Sequence, residues 1–378
     1  MYRLEGSMKY RGKLFMSRDI YNLQHSNDNF LNAMRANVAF HMQNCPEYGD
    51  VLNNLGFDLN ALHSIGDLPN IPPLPTSYLK NNSLLSKPYN KLLIKTTSSG
   101  TGGKKTLSGF DVSSGLCGLL MALKVFRFHQ LVSLRRTNYI ILGYQPDQSN
   151  QSAMVKALKA VTLLAPAKKV EYALVFKSGD YQINTEGLVN AIIKFGEQKL
   201  PVRIIGFPAY LKMFLDELDN RNIKINLNRN SKIMLGGGWK AFFSDEISKT
   251  ELFRMANRTL GIRQENFKDH FSTAEHPINY VSCANGHFHV PIFSRVIIRD
   301  VRTLEPVPFG TPGLLNLVTP LLSSMPYGSI MTDDIAAMQD GSKCGCGIHS
   351  PYFELIGRVG LASIKTCTQA ASEFLNKI

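Results

Sequence analysis

The spacing of apolar residues divides the chain into three stretches. In the first stretch, apolar residues recur at helical spacing, as in FLNAMRANVAFHMQNC. This spacing predicts helices that bury one face. The four prolines of SIGDLPNIPPLPTSYLK then predict an extended connection. We therefore expect residues 1–75 to form an N-terminal helical segment ahead of the main fold.

The middle stretch alternates short apolar runs with amphipathic ones. Strands are predicted at NYIILGY, VEYALVF, VRIIGFP and SKIMLGGGW. Amphipathic runs between them, such as TEGLVNAIIKFGEQ, predict helices. Apolar strands that alternate with helices are typical of a largely parallel sheet with helices on both faces. The predicted fold class is therefore α/β.

The last stretch changes character at about residue 287, where short strands and turns predict a small β-rich subdomain. Its final run, GLASIKTCTQAASEFLNKI, predicts one short amphipathic helix or a tail. We expect a core over residues 76–357 and a short tail over residues 358–378.

Four loops rich in small or polar residues follow predicted strands: SSGTGGKK, GFP, GGGW and HFSTAEH. Ligands of an α/β sheet bind at the carboxyl ends of its strands, so we expect these loops to form one site.

The first of these loops, within KTTSSGTGGKKT, has the composition of a phosphate-binding loop. Its glycines let backbone N–H groups surround an oxyanion, and Lys104 or Lys105 can neutralise phosphate charge. The spacing is not that of a P-loop, and a solvated surface loop is the alternative. The hydroxyl donors are Thr97, Ser98, Ser99 and Thr101.

The net charge of +13 and the pI of about 9.4 suggest an anionic partner. Lysines and arginines are dispersed, and no nucleic-acid-binding signature is present, so we expect an anionic substrate or an acidic carrier protein instead. No apolar stretch predicts a signal peptide or a membrane span. Six cysteines are too few for a disulfide scaffold, which favours a cytoplasmic protein whose clustered cysteines bind metal.

Several motifs together resemble those of the adenylate-forming enzymes, which activate carboxylates as acyl-AMP. The resemblance is greatest to LuxE-type fatty acyl-protein synthetases of bacterial luminescence, and it is more distant to phenylacetate–CoA ligases. It spans about residues 70 to 370 and implies the large-domain fold of that superfamily, with layered sheets. The motifs are TSSGTGGKKT, IGFPAYL, LGGGWK, HFSTAEH, LEPVPFGTPGL, MTDDIA and ELIGRVG.

The resemblance implies ATP and Mg²⁺ as cofactors and assigns roles to residues. Glu275 stands where the family places a carboxylate near Mg²⁺, although the neighbouring glycine and hydroxyl of that motif differ here. Asp334 would accept hydrogen bonds from the ribose hydroxyls, and Arg358 would assist. The tri-glycine turn and its tryptophan would line the adenine and acyl pocket: Gly236, Gly237, Gly238 and Trp239. The β- and γ-phosphates would be held by Ser98, Ser99, Gly100, Thr101, Gly102, Gly103 and Lys104.

Four residues have the composition of a zinc site: Cys283, His289, Cys344 and Cys346. Phenylacetate–CoA ligase-like proteins carry a similar set, and its spacing favours His289 over the competitors His287 and His349. A closed four-ligand shell would make the metal structural. The alternative is that these side chains are unligated core or turn residues.

Cys367 lies in the short tail, which we expect to stand in place of the mobile C-terminal domain of longer adenylate-forming enzymes. In LuxE-type proteins a tail cysteine receives the acyl group, which then passes to a partner reductase. A thiolate is a competent acceptor. The alternatives are an acyl–CoA ligase that uses CoA or the thiol of an acyl carrier protein, and a non-catalytic scaffold that binds a carrier or a nucleotide.

Overall fold

The computed structural model describes residues 4–97, 106–146, 158, 160–177, 179–239 and 246–358. Contacts divide the chain into two compact units. The first consists of Met1–Val125, Ser272–Tyr280 and His287–Ile378, and the second consists of Phe126–Phe271 and Val281–Gly286. The predicted division at residues 75 and 357 stays a prediction.

The first unit begins with the predicted helices. They are α1 (Leu4–Met16), α2 (Leu23–Asn44) and α3 (Pro46–Asn54). The connection that follows is not extended throughout, because a 3₁₀ helix spans Ile65–Asn70. The Asp67 carboxylate accepts the Ser64 N–H at 2.7 Å and the His63 N–H at 3.0 Å, and these bonds begin the turn despite the prolines.

A β-hairpin and a long helix follow in the first unit. After β1 (Leu74–Pro75) and α4 (Thr76–Leu79), strands β2 (Ile94–Thr97) and β3 (Leu107–Phe110) pair antiparallel. Helix α5 spans Val112–Phe128. Strand β2 and helix α5 confirm the strand and the helix predicted around the Ser/Gly-rich loop, but the unpredicted strand β3 lies between the loop and the helix.

The second unit contains a mainly parallel sheet, as predicted. Its order is β10-β9-β8-β7-β4-β5-β6, and only β6 is antiparallel to its neighbour among the pairs with a defined register. Its described helices are α6 (Thr185–Glu197), α7 (Pro208–Asn220) and α8 (Lys249–Leu260). The strands are β4 (Thr137–Tyr144), β5 (Ala167–Lys177), β6 (Asp180–Ile183), β7 (Val202–Gly206), β8 (Lys232–Gly236), β9 (Phe267–Phe271) and β10 (Tyr280–Val281).

The core of this sheet is apolar. Ile140, Ile204 and Ile233 lie on three adjacent strands, are fully buried, and belong to one cluster with Leu215 and Ala256 of the helices. Burial of such side chains removes the apolar runs from water, which explains why their pattern predicted this part of the fold.

The first unit ends in a mainly antiparallel sheet, which confirms the predicted β-rich C-terminal part. Its order is β11-β15-β14-β13-β12, and β1 adds a parallel pair to β14 with Leu74 opposite Ile330. The strands are β11 (Phe288–His289), β12 (Arg295–Arg299), β13 (Gly313–Val318), β14 (Ser329–Gln339) and β15 (Tyr352–Arg358). Across the described part of the chain, no helix is both long and apolar enough to cross a membrane.

Candidate active site

Asp334 and Arg358 face each other across strands β14 and β15. They are direct partners in the antiparallel register, and the Arg358 Nε lies 3.7 Å from the Asp334 Oδ1. The Asp334 side chain is 18% exposed, whereas that of Arg358 is 54% exposed. The carboxylate can therefore accept hydrogen bonds from a ligand at this end of the β14–β15 pairing, and the guanidinium extends toward solvent.

Burial raises the pKa of Asp334, and Asp333 adds to this effect, while Arg358 and a hydrogen bond involving Thr332 oppose it. The Asp334 backbone N–H also donates to the Thr332 hydroxyl at 3.1 Å, which fixes the strand at this point. A carboxyl group that is partly desolvated yet faces a cation is typical of a ligand-binding position.

Glu275 occupies a central position of a closed four-residue turn. The Thr273 hydroxyl accepts the His276 N–H at 2.9 Å, and the His276 carbonyl accepts the Thr273 N–H at 3.3 Å. Glu275 is 5% exposed, so this turn holds a buried carboxylate. A carboxylate in a fixed turn can bind a divalent cation.

His276, directly after Glu275, is a structural residue. Its ring is fully buried, and desolvation lowers its pKa to about 3. Its Nε2 lies 2.9 Å from the Tyr280 hydroxyl, which in turn lies 2.6 Å from the Ser294 hydroxyl. This buried network supports the turn that carries Glu275. His270, on the other side of the segment, packs near Phe126 with ring centroids 6.0 Å apart.

The tri-glycine turn lies in the second unit, at the carboxyl end of β8. Gly237 and Gly238 have φ values of 80° and 67°, a region that favours glycine. A Cβ at Gly236 would come within 3.0 Å of the His270 carbonyl oxygen. Trp239 is 8% exposed and belongs to the apolar core of this unit. The predicted pocket-lining role of these residues stays a prediction.

The four predicted metal ligands come together. Cys283, His289, Cys344 and Cys346 each offer one ligand atom, and these atoms all lie within 4.8 Å of one another. Cys346 Sγ lies 3.2 Å from His289 Nε2. Tetrahedral zinc, with bonds of about 2.0–2.3 Å to nitrogen and sulfur, requires ligand atoms at separations of this order.

Surrounding hydrogen bonds orient these ligands. His289 Nδ1 lies 2.7 Å from the Ser350 carbonyl oxygen, so Nδ1–H donates there and leaves Nε2 as the ligand atom. Backbone N–H groups of Asn285 and Ile348 donate to the sulfurs of Cys283 and Cys346 at 3.4 and 3.5 Å.

The loop backbone has the form of a cysteine knuckle. Gly345 and Gly347 alternate with the cysteines and have φ values of 72° and 87°. In this left-handed region glycine avoids the steric strain of a Cβ, so the chain can turn sharply after each cysteine. The residues present therefore fit a zinc ion.

The structure also separates the two competing histidines. His287 Nδ1 lies 3.2 Å from Cys344 Sγ, and its Nε2 lies 3.2 Å from the Glu354 carboxylate. It therefore contacts a ligand without belonging to the set of four. His349 is exposed and outside that set.

Several predicted site residues lie outside the described residues. Thr97 ends β2, opposite Leu107, and is described only as backbone. The others are Ser98, Ser99, Gly100, Thr101, Gly102, Gly103, Lys104 and Cys367. Their roles, and the expectation that the loops share one cavity, stay predictions.

Sequence reasoning missed a polar cluster around Asp111, which directly precedes α5. Burial alone would raise the pKa of Asp111, but hydrogen bonds from Lys87 and Ser114 outweigh it and lower the pKa to about 2. The Ser323 hydroxyl lies 3.0 Å from both carboxylate oxygens. The sequence feature that could have indicated this cluster is the SSMPYG run, which places two serines shortly before the buried strand β14.

The fold of both units is that of the adenylate-forming ligases. A crystal structure of 2-hydroxyisobutyryl-CoA ligase with 2-HIB-AMP matches with a TM-score of 0.67 and 14% identity. The match covers 90% of this chain and 70% of that one. A second structure of that ligase, with 2-HIB-AMP and CoA, gives a TM-score of 0.66 and covers 91% and 79% of the two chains.

The chain belongs to the LuxE family of acyl-protein synthetases. The family model described as "Acyl-protein synthetase, LuxE" matches residues 13–376. A long-chain-fatty-acid--luciferin-component ligase of Vibrio harveyi is 23% identical over 341 residues, 88% of this chain and 85% of that protein. The protein of the same name from Aliivibrio fischeri is 24% identical over 353 residues, 91% and 88% of the two chains.

These findings confirm the predicted family, fold class and ligase activity. They also support the predicted class of reaction, in which ATP activates an acid as an acyl adenylate and the acyl group passes to a thiol.

Proposed function

We propose that the protein uses ATP to activate a long-chain fatty acid and transfers the acyl group to Cys367 of its own tail. The observation that carries this proposal is the Asp334–Arg358 pair, which lies at one end of the β14–β15 pairing in a chain of the acyl-protein synthetase family. The two curated relatives are named for long-chain fatty acids, which supports this choice of acid.

In the first step, a carboxylate oxygen of the acid attacks the α-phosphorus of ATP. The bond from the α-phosphorus to the bridging oxygen breaks, and pyrophosphate leaves. Asp334 accepts hydrogen bonds from the ribose hydroxyls, and Arg358 offers donors beside it. This chemistry needs positioning and charge neutralisation rather than a protein nucleophile.

Two further groups serve the phosphates. The buried carboxylate of Glu275 supports a site for Mg²⁺, which would neutralise charge on the triphosphate. From sequence, the loop Ser98–Lys104 holds the β- and γ-phosphates, and Lys104 supplies the cation.

In the second step, the Cys367 thiolate attacks the acyl carbonyl carbon. A carbon–sulfur bond forms and AMP leaves, so that the protein carries a thioester. An acyl-accepting partner enzyme would then receive the acyl group. The alternative is an acyl–CoA ligase that uses CoA or a carrier-protein thiol, which the Cys/His cluster favours because phenylacetate–CoA ligase-like proteins carry a similar set.

The Cys/His cluster would bind one structural Zn²⁺. Three cysteines and one histidine complete a tetrahedral shell and leave no position for substrate. The metal would stabilise the fold around strands β11 and β15 and take no part in the reaction.

ATP–pyrophosphate exchange against a panel of fatty and aromatic acids tests the first step. We expect exchange that depends on a long-chain fatty acid. Exchange with no acid of the panel would favour the non-catalytic scaffold and contradict the proposal.

Intact-chain mass spectrometry after incubation with ATP and the acid tests the second step. We expect the mass of one acyl group on the wild type, and the loss of that mass in Cys367→Ser with pyrophosphate exchange unchanged. Cys117→Ser is the control, because Cys117 is a buried residue of α5. Acyl-CoA formation that persists in Cys367→Ser would favour the ligase that uses CoA.

A further inference from the structure

The β2–β3 hairpin forms a separate two-stranded sheet. Thr97 and Leu107 are its last paired residues, and residues 98–105, the predicted phosphate loop, connect them. Among the described strands, neither β2 nor β3 pairs with any strand outside the hairpin. Its position in the first unit must therefore depend on other contacts.

Several of those contacts come from the segment Leu321–Tyr327, which we call the clamp. Ser324 Oγ donates to the Gly109 carbonyl at 2.5 Å, and the Gly109 N–H donates to the Met325 sulfur at 3.1 Å. The Tyr327 hydroxyl donates to the Leu107 carbonyl at 2.8 Å. The clamp thus binds strand β3 at two positions, one of them at the base of the loop.

The clamp also binds the residue that follows β3. Ser323 Oγ donates to Asp111, and the Ser323 N–H donates to the Ser114 hydroxyl at 2.9 Å. Lys87 forms an ion pair with the same carboxylate. The hairpin and the start of α5 are therefore held by one continuous set of hydrogen bonds.

The clamp is itself mostly buried and leads directly into the strand that carries Asp334. Ser324 and Met325 are fully buried and Tyr327 is 1% exposed. Strand β14, which carries Asp334, begins two residues after Tyr327. Burial, with a contribution from the charge of Glu275, raises the pKa of Tyr327, so its hydroxyl remains a donor.

We propose that Tyr327 is a positioning residue for ATP, because its bond to Leu107 fixes the β2–β3 hairpin relative to the strand that carries Asp334. This inference rests on the proposed function, since it takes the hairpin and Asp334 as two parts of one nucleotide site. In this proposal Tyr327 acts through the hairpin and does not contact ATP.

Tyr327→Phe removes the hydroxyl and keeps the ring. We expect the KM for ATP in pyrophosphate exchange to rise roughly fivefold, as the loss of one hydrogen bond implies, with kcat within about twofold of the wild type. Tyr139→Phe is the matched control, because the Tyr139 hydroxyl is also buried and donates to a carbonyl, that of Ala165, at 3.0 Å. It should leave the KM for ATP unchanged.

Trypsin provides a readout that does not need activity. We expect Tyr327→Phe to be cleaved after Lys104 or Lys105 several times faster than the wild type and than Tyr139→Phe, as mass spectrometry of the fragments would reveal. Ser324→Ala removes another bond of the clamp and should raise the KM and the cleavage rate in the same direction.

Equal KM values and equal cleavage rates in Tyr327→Phe and Tyr139→Phe would overturn the inference. If Tyr327→Phe failed to fold, a KM for ATP and a cleavage rate in Ser324→Ala equal to those of Tyr139→Phe would overturn the inference. A wild type without pyrophosphate exchange would instead contradict the proposed function, and the cleavage rates would still decide whether the clamp holds the hairpin.

Discussion

The pairing of strands β14 and β15 carries chemically different groups at its two ends. At one end, Asp334 lies opposite Arg358, and the arginine side chain is 54% exposed. At the other end, Gln339 lies opposite Tyr352, and the chain between them carries Cys344 and Cys346. One end is open to a ligand, and the other is closed by its own side chains.

On the proposed function, the aspartate end would exchange its ligand and the cysteine end would keep its metal. At the cysteine end, the predicted metal-ligating side chains form hydrogen bonds within the protein. His289 donates to the Ser350 carbonyl, and backbone N–H groups donate to two of the sulfurs. The aspartate end leaves a partly desolvated carboxylate whose ion partner is 3.7 Å away. The first arrangement stabilises a fold, and the second suits reversible binding.

The two ends are nevertheless coupled through one strand register. The register shifts once, between Ile335 and Ala336, and otherwise runs from the Asp334–Arg358 pair to the Gln339–Tyr352 pair. A metal bound at the cysteine end would therefore constrain the same two strands that carry Asp334 and Arg358.

The largest expected effect is at the cysteine end. Cys344→Ser should reduce bound zinc from about one per chain to a small fraction, measured by plasma mass spectrometry. The free energy of unfolding should fall by about 4 kcal/mol, the linkage expected for metal at a thousandfold its Kd.

Cys117→Ser is the control for this substitution, because it changes a buried cysteine of α5 outside the cluster. It should keep the zinc. Equal zinc content in Cys344→Ser and the wild type would contradict the assignment of the cluster.

At the open end, Asp334→Asn should lower kcat/KM for ATP by roughly tenfold to a hundredfold. The reason is the loss of charge-assisted hydrogen bonds worth about 1.5–3 kcal/mol. Asp333→Asn removes the neighbouring charge and should have a much smaller effect. Similar losses in the two variants would indicate a general charge effect instead of a ribose contact.

The pH dependence of stability and of ATP binding should also report on Asp334. Since burial raises the pKa of Asp334, the folded protein keeps this proton over a pH range in which the unfolded chain has released it. The contribution of Asp334 to the free energy of unfolding therefore decreases as pH rises through that range, by at most about 1.4 kcal/mol per pH unit.

Over the same range the KM for ATP should rise as pH falls, because only the ionised carboxylate accepts two hydroxyl hydrogen bonds. Urea unfolding and ATP kinetics across pH would measure both effects, and Asp334→Asn should remove both. Persistence of either trend in that variant would assign it to another group.

The smallest effect on stability is expected from Arg358→Ala. Its ion pair with Asp334 is long and half exposed, so the free energy of unfolding should change by less than about 0.5 kcal/mol. The KM for ATP should nevertheless rise, because the guanidinium is a donor for the ligand. A large loss of stability with an unchanged KM would make Arg358 a structural residue.

The sequence predicted well the parts of the fold that depend on local pattern. The apolar run that contains Tyr139–Leu142 became β4, because this signal acts over a few residues. The resemblance favoured His289, and the structure places it beside the three cysteines, while its role as a metal ligand stays a prediction. The motif resemblance supplied Asp334 and Arg358.

Contacts between distant parts of the chain had no such signal. Arg11 donates to the Leu321 carbonyl, and Tyr327 to that of Leu107, across separations of 310 and 220 residues. Hydrogen bonds to backbone carbonyls place few demands on residue type, so neither the clamp nor the composition of the first unit could be read from pattern alone.

The most direct test of the central claim is ATP–pyrophosphate exchange by the wild type and by Asp334→Asn, with and without a long-chain fatty acid. The account predicts exchange by the wild type that requires the acid, and a large loss of that exchange in Asp334→Asn. Acid-independent exchange, or full exchange in Asp334→Asn, would contradict the proposal that the Asp334–Arg358 pair binds the nucleotide for acyl-adenylate formation.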